Sequence, residues 1–270
     1  IIMNIGIIGC GAIGTVLAKA VEDIDEIEKV YLLNTISEKA EVLAASLKKG
    51  IPKQDINDFI DDVRLVVESA SIDAVKEYGE FVLSHGKDFM VMSVGAFADK
   101  KLMEKLIDAA KTNKCKIYLP SGAIAGVDGV KSASGSRIDE IMLVTRKPPA
   151  GLKDVKYLKD KGVDVEKIKK ETVVFEGSAY EAIKYFPKNI NVAVCLSVAG
   201  IGVDKTKVKL VCDPKIRQNI HKIVVKGGFG EITTETKNFP CPTNPRTSYL
   251  AALSAVATLK KIVSPLQVGT

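Results

Sequence analysis

A parallel α/β first half followed by an α+β second half is the fold this sequence predicts, and three observations predict it. Short apolar runs alternate with longer amphipathic ones over residues 1–120, as they do in repeated β-α units. A glycine-rich turn follows the first apolar run directly. Past Pro120 this rhythm gives way to the Gly/Ser/Ala-rich stretch SGAIAGVDGVKSASGS and then to strand-like runs with few helices between them. With 270 residues and 46% hydrophobic content, the chain can build two modest cores.

Taken in order, Ile5–Ile8, Val30–Leu33, Leu65–Glu68, Phe89–Met92 and Lys116–Leu119 read as strands, because each is a short apolar run bounded by polar or turn residues. Ala12–Val21, Ser37–Leu47, Ile72–Ser84 and Asp99–Thr112 carry the 3.6-residue apolar period of the helices between them. Right-handed crossovers then give a parallel, Rossmann-like sheet. In the second half, Ile141–Thr145, Thr172–Phe175, Lys207–Cys212, Lys222–Val225 and Glu231–Thr236 are strand-like, with helices expected near Asn189–Ala199 and from Arg246 to about Lys261.

Gly9-Cys10-Gly11-Ala12-Ile13-Gly14 is G-x-G-x-x-G, placed between the first strand and the first helix. The first glycine permits the tight turn, the second admits a pyrophosphate against the backbone, and the third lets helix and strand pack closely. Free N–H groups at the helix start favour phosphate charge, so all six residues are expected to contact a dinucleotide. The next strand ends at Asn34, where NAD-selective sites carry Asp or Glu for the ribose hydroxyls. Asn bonds a hydroxyl without repelling a 2′-phosphate, and Thr35, Ser37 and Lys39 follow, so either NAD or NADP is expected to serve. The same residues also suit a plain turn at Asn34-Thr35 with Ser37 as a helix cap.

Only two histidines exist. His85, in Ser84-His85-Gly86, suits the end of a helix and reads as structural. His221 lies within the second half and is the remaining candidate for a general base or proton shuttle. Five scattered cysteines without C-x-x-C and two distant histidines offer no metal set, so no metal is expected and the thiols read as reduced and mostly buried. The +6 net charge is spread along the chain, which argues against a nucleic-acid surface and suits an anionic small molecule. No apolar run approaches the ~20 residues of a membrane helix, and the glycine-rich start does not read as a signal peptide, so a cytoplasmic location is expected.

PSGAIAG (120–126), YFPKNINVA (185–193), AGIGVDKTKVKLVCDP, the NIHKI run around His221 and NPRTSYLAALS (244–254), with GIIGCGAIG (6–14) and SVGAF (93–97), resemble the L-aspartate dehydrogenase family over almost the whole chain. The resemblance implies a Rossmann dinucleotide-binding domain at 1–120, an α+β substrate, catalytic and dimerisation domain at 121–245, and a C-terminal helix and tail at 246–270 that pack back on the first domain. It implies a homodimer carrying out NAD(P)-dependent oxidative deamination of L-aspartate to iminoaspartate, then oxaloacetate and ammonia, as a supply for NAD biosynthesis. It also implies that His221 is catalytic and that Ala123 and Asn189 contact the nicotinamide cofactor. Small size at a crowded junction and helix capping are the plainer uses of Ala123 and Asn189.

For the two substrate carboxylates, Thr243, Asn244 and Arg246 are the candidates, since Arg offers a bidentate fork and a helix start offers N–H groups. A simple cap at 243–244 and a solvated Arg246 fit as well. Two other readings stand beside this one. Another NAD(P)-dependent reductase of the same architecture, such as dihydrodipicolinate reductase or homoserine dehydrogenase, lacks its motifs here; no paired-histidine segment is followed by lysine. A non-catalytic NAD(P)-binding redox sensor would share the fingerprint but has no use for a base at His221.

Overall fold

The computed structural model describes residues 2–186, 191–242 and 244–270, leaving the side chains of residues 245 and 246 outside that description. The chain forms two compact units: Ile1–Pro120 with Ala252–Val268, and Ser121–Ala251 with Gly269–Thr270.

In the first unit, β1 (Met3–Ile8), β2 (Ile27–Leu33), β3 (Gly50–Lys53), β4 (Leu65–Glu68), β5 (Asp88–Val91) and β6 (Ile117–Tyr118) form one sheet in the order β3-β2-β1-β4-β5-β6, and every pairing is parallel. This is the doubly wound arrangement, with the strand order reversing beside β1. Each strand is followed by a crossover, and α1 (Ala12–Val21), α2 (Ser37–Ala45), α3 (Ile72–Ser84) and α4 (Lys100–Thr112) fill the longer ones. Helices on both faces bury the sheet twice over, which is why all four residues of β4 are buried and the strands read as continuous apolar runs rather than alternating ones. Helix α1 turns Gly14, Leu17, Ala18 and Val21 inward at helical spacing. Ser71 and Asp99 cap α3 and α4 with their side chains. His85 ends α3, its Nδ1 2.8 Å from the Phe81 carbonyl oxygen, before Gly86 at φ +68°.

In the second unit, α5 (Val127–Ala133), β7 (Ile138–Lys147), α6 (Lys156–Asp160), β8 (Thr172–Ser178), α7 (Ala179–Tyr185), α8 (Asn191–Ala199), β9 (Lys207–Cys212), β10 (Asn219–Gly227) and β11 (Gly230–Asn238) follow one another. Its sheet runs β11-β10-β7-β9-β8, mostly antiparallel with one parallel pair, β7 with β9. One face is buried: Ile141, Leu143, Thr145 and Lys147 of β7 alternate with half-exposed residues, and His221, Ile223 and Val225 do the same on β10. A short ladder, β12 (Pro240–Cys241) with β13 (Asn244–Ser248), precedes the last helix, α9 (Tyr249–Val263). Ala255 and Leu259 of α9 are fully buried in the first unit's core, beside Leu17, Val21 and Ile27.

Several expectations shift. The last helix begins at Tyr249 rather than Arg246, because Asn244–Ser248 pairs as a strand; Pro245 favours extended backbone at Asn244 and cannot donate in a helix. Ser37 is the first residue of α2 and makes no capping bond, since Ile36 holds the cap position. Strand β3 was not read from the sequence, being short and broken by Pro52. Strand β10 starts at Asn219 and β7 ends at Lys147, so both reach further than their apolar runs, and those extensions hold the polar residues of interest. Among the described residues no helix is long and apolar enough to cross a membrane, and no cluster of three or more His, Cys, Asp or Glu could hold a metal.

Candidate active site

The fingerprint turn sits at the carboxyl end of β1, where the strand order reverses. Gly9 adopts φ +100°, a conformation that L side chains rarely take. A Cβ on Gly14 would collide with the Gly9 carbonyl, so the third glycine is required by packing. A Cβ on Gly11 would meet no protein atom within 4 Å. Nothing in the fold demands glycine there, and the open space beside the start of α1 is what a pyrophosphate needs. Cys10 and the half-buried Ile13 pack against the first unit's core. Burial pushes the Cys10 thiol up to about 11, with the nearby Lys39 charge opposing.

Asn34 is fixed by this turn. Its Oδ1 accepts from the Cys10 backbone N–H at 3.0 Å and its Nδ2 donates to the Ile36 carbonyl at 3.1 Å, which leaves one N–H and one lone pair for a ligand. Glu68, at the same end of β4 and wholly buried, braces the neighbouring loops. It accepts from the Ala70 N–H at 2.7 Å, the Ser93 hydroxyl at 2.8 Å and the Ser93 N–H at 3.0 Å, tying the loop after β4 to the SVGAF segment after β5. Burial pushes its carboxyl up, and the hydrogen bonds offset part of that.

In the second unit, strand register assembles a polar row on the buried face. Thr145, His221 and Thr236 are cross-strand neighbours on β7, β10 and β11. Thr145 Oγ1 lies 2.9 Å from His221 Nδ1, with the residues 3% and 5% exposed. Lys147, two residues along the same face of β7, is 8% exposed. Burial and the Lys147 charge push the imidazole down to about 3, and burial alone pushes the Lys147 ammonium down to about 8.

The 120–126 loop is clamped beside this row. Thr236 Oγ1 and Asn238 Nδ2 both donate to the Ala123 carbonyl at 2.9 Å, and Thr234 Oγ1 donates to the Ala125 carbonyl at 2.8 Å. Side chains at alternate positions of β11 thus hold the loop's carbonyls, and Gly122 at φ +68° and Gly126 at φ +91° let it follow the strand closely. Ala123 is thereby brought next to the cross-strand neighbour of His221. Its carbonyl is already doubly bonded, so its N–H and methyl are the groups left for a ligand.

Of the other sequence candidates, Asn189 and Thr243 lie outside the described residues, as does the side chain of Arg246. Asn244 lies in β13 opposite Cys241. Sequence reasoning missed Thr145, Lys147, Thr236, Asn238 and Glu68. The signal for the β7 pair was parity: Thr145 and Lys147 continue the inward set Ile141, Leu143 past the end of the apolar run.

A family model for the C-terminal domain of aspartate dehydrogenase matches residues 128–262, and one for the NAD-binding domain of homoserine dehydrogenase matches residues 9–120. The L-aspartate dehydrogenases of Methanococcoides burtonii and Methanosarcina acetivorans are 50% and 48% identical to this chain over 270 residues, covering 99% of it and 100% of each of them. The crystal structure of aspartate dehydrogenase from Thermotoga maritima matches at TM-score 0.78 and 32% identity over 99% of both chains. A homoserine dehydrogenase from Thiobacillus denitrificans, 14% identical at TM-score 0.60 over 96% of this chain and 73% of that one, shares the fold alone. With this identity sustained over its full length, the chain belongs to the L-aspartate dehydrogenase family.

Proposed function

We propose that the protein oxidatively deaminates L-aspartate with a nicotinamide dinucleotide, NAD or NADP, and that His221 handles the protons. The observation that carries this reading is the buried Thr145–His221 pair beside the Ala123 loop, in a chain of this family. When bound, the cofactor supplies the hydride acceptor, taking the hydrogen and electron pair from the substrate Cα. Gly9 through Gly14 would hold the pyrophosphate, Asn34 would offer its spare N–H and lone pair to the ribose, and Ala123 and Asn189 remain the candidates for contact with the nicotinamide.

Loss of the Cα hydride and of a proton from the amine leaves iminoaspartate; water then adds across C=N to release ammonia and oxaloacetate. His221 is neutral at pH 7, as a base must be. In the tautomer that donates Nδ1–H to Thr145 Oγ1, Nε2 keeps its lone pair for the amine proton or for the attacking water. Carboxylates arriving nearby offset the Lys147 field and raise the imidazole pKa back toward its working range. Thr243, Asn244 and Arg246 remain candidates for holding those carboxylates.

Dual cofactor use is supported by the neutral Asn34 and by Lys39, whose charge reaches Cys10. A cytoplasmic homodimer that supplies imine to NAD biosynthesis completes the proposal; the five cysteines, none of them in a disulfide, suit a reducing compartment.

The test follows absorbance of the reduced nicotinamide for wild type and His221→Ala, with L-aspartate and NAD or NADP in turn. Reduction by wild type, with a loss of a hundredfold or more in a variant that still binds cofactor, supports the reading. Cofactor binding without turnover of any amino acid points instead to a redox sensor.

A further inference from the structure

Hydride transfer and proton transfer act on neighbouring atoms of one substrate, so the reactive end of the cofactor and the base must be held at a fixed spacing. We propose that Thr236 and Asn238 are positioning residues for that spacing: by pinning the Ala123 carbonyl they lock the loop meant for the nicotinamide onto the hairpin that carries His221. This rests on the aspartate reading, in which Ala123 contacts the nicotinamide and His221 takes the proton, and adds two residues to it.

Three observations carry the inference. The first is placement. Strands β10 and β11 are the two arms of one hairpin, and His221 stands directly opposite Thr236, so their Cβ atoms lie about 5 Å apart on the same face. Since Thr236 Oγ1 is bonded to the Ala123 carbonyl, the loop is one side chain away from the imidazole. The second is redundancy. One donor would satisfy that carbonyl, yet Thr236 Oγ1 and Asn238 Nδ2 both reach it at 2.9 Å, and Asn238 Nδ2 also donates to Thr236 Oγ1 at 3.2 Å. Asn238 is 4% exposed, and a buried amide left unpaired costs about 1–3 kcal/mol, a risk that an apolar contact would not carry. What a closed polar network adds is rigidity. The third is direction. Because the peptide unit is planar, a carbonyl held from two sides fixes the whole 123–124 peptide plane, and with it the opposed N–H of Ile124. Thr234 repeats the hold at the Ala125 carbonyl, at 2.8 Å, so the next stretch of the loop keeps its orientation as well.

The test compares calorimetric binding of NAD and of ADP-ribose, which carries every part of NAD except the nicotinamide, by wild type, Asn238→Leu, Thr236→Val and Thr236→Ser. Expected for Asn238→Leu is an NAD affinity about tenfold lower, the contribution of about one hydrogen bond, with ADP-ribose affinity unchanged. With L-aspartate, kcat should fall about tenfold, and the isotope effect on kcat for substrate deuterated at Cα should rise, because the hydride step then limits turnover. A purely structural role moves the melting temperature without separating the two ligands or raising the isotope effect. Thr236→Val should show the same pattern, and Thr236→Ser should restore wild-type values. Should Asn238→Leu fail to fold, Thr236→Val, which keeps the native shape at a half-buried position, carries the comparison. NAD and ADP-ribose affinities that both hold, or that fall together, in a folded variant overturn the proposal. A nicotinamide-specific loss in a protein that never oxidises aspartate would sink the activity while leaving the clamp standing.

Discussion

Thr145 and His221 face each other across β7 and β10, hydroxyl to Nδ1 at 2.9 Å, with almost no exposure of either residue. The imidazole cannot trade this bond for water, so the hydroxyl sets its orientation.

Thr145→Val keeps the shape and removes the bond. We expect a stability loss of about 1–3 kcal/mol from the unpaired ring nitrogen and a fall in kcat of about tenfold to a hundredfold, with cofactor affinity unchanged. Thr145→Ser should restore most of both. Urea unfolding and steady-state kinetics on the three proteins check this; a Val variant with wild-type kcat would remove Thr145 from the mechanism.

The depressed imidazole also predicts acid sensitivity. Between pH 6.5 and about 3 the unfolded chain holds a proton on His221 that the folded chain excludes, so this group's contribution is lost as pH falls through that window. The buried ammonium acts in the same sense at higher pH: from about 8 to 10.5 the unfolded chain again binds more protons, and stability rises with pH. His221→Gln should flatten the acid limb of a melting-temperature profile recorded from pH 4 to 7.

The fingerprint glycines separate by cause. Gly11→Ala adds a methyl that meets no protein atom, so the melting temperature should stay within about 2 °C while cofactor affinity falls tenfold or more. Gly14→Ala drives its methyl into the Gly9 carbonyl and should lose both stability and binding. Calorimetric titration with NAD beside thermal melts distinguishes the two, and equal melting losses would contradict the assignment.

Asn34→Asp retains an oxygen for the Cys10 N–H and adds a charge. NADP affinity should fall about tenfold or more, NAD affinity should hold or improve, and the ratio of the two kcat/KM values reports it.

Glu68→Ala strands the three donors now bonded to the buried carboxylate, for an expected cost of about 2–4 kcal/mol. Because its pKa is raised by burial, Glu68 favours the folded state less as pH climbs above the ordinary carboxyl value. Glu68→Gln should therefore lose that pH dependence, which urea unfolding at pH 5 and pH 8 would show.

What the sequence by itself determined is what short-range physics encodes. The fingerprint is six consecutive residues, strands such as β4 are buried on both faces and read as unbroken apolar runs, and α1 repeats its apolar residues at helical spacing, so each is visible within a dozen positions. His221 stood out because only two histidines exist. Tertiary structure alone decided its company. Thr145 and Lys147 are 76 and 74 residues away in the chain, Thr236 lies on the far strand of a hairpin, and the Ala123 loop is more than 100 residues from the β11 side chains that clamp it. Register joined them, and register depends on which faces of five strands bury together, a property of the assembled sheet that no single segment carries. The same holds for β13: its residues lack a strand pattern of their own, and pairing with Pro240–Cys241 overrides the helix that the following apolar period suggests.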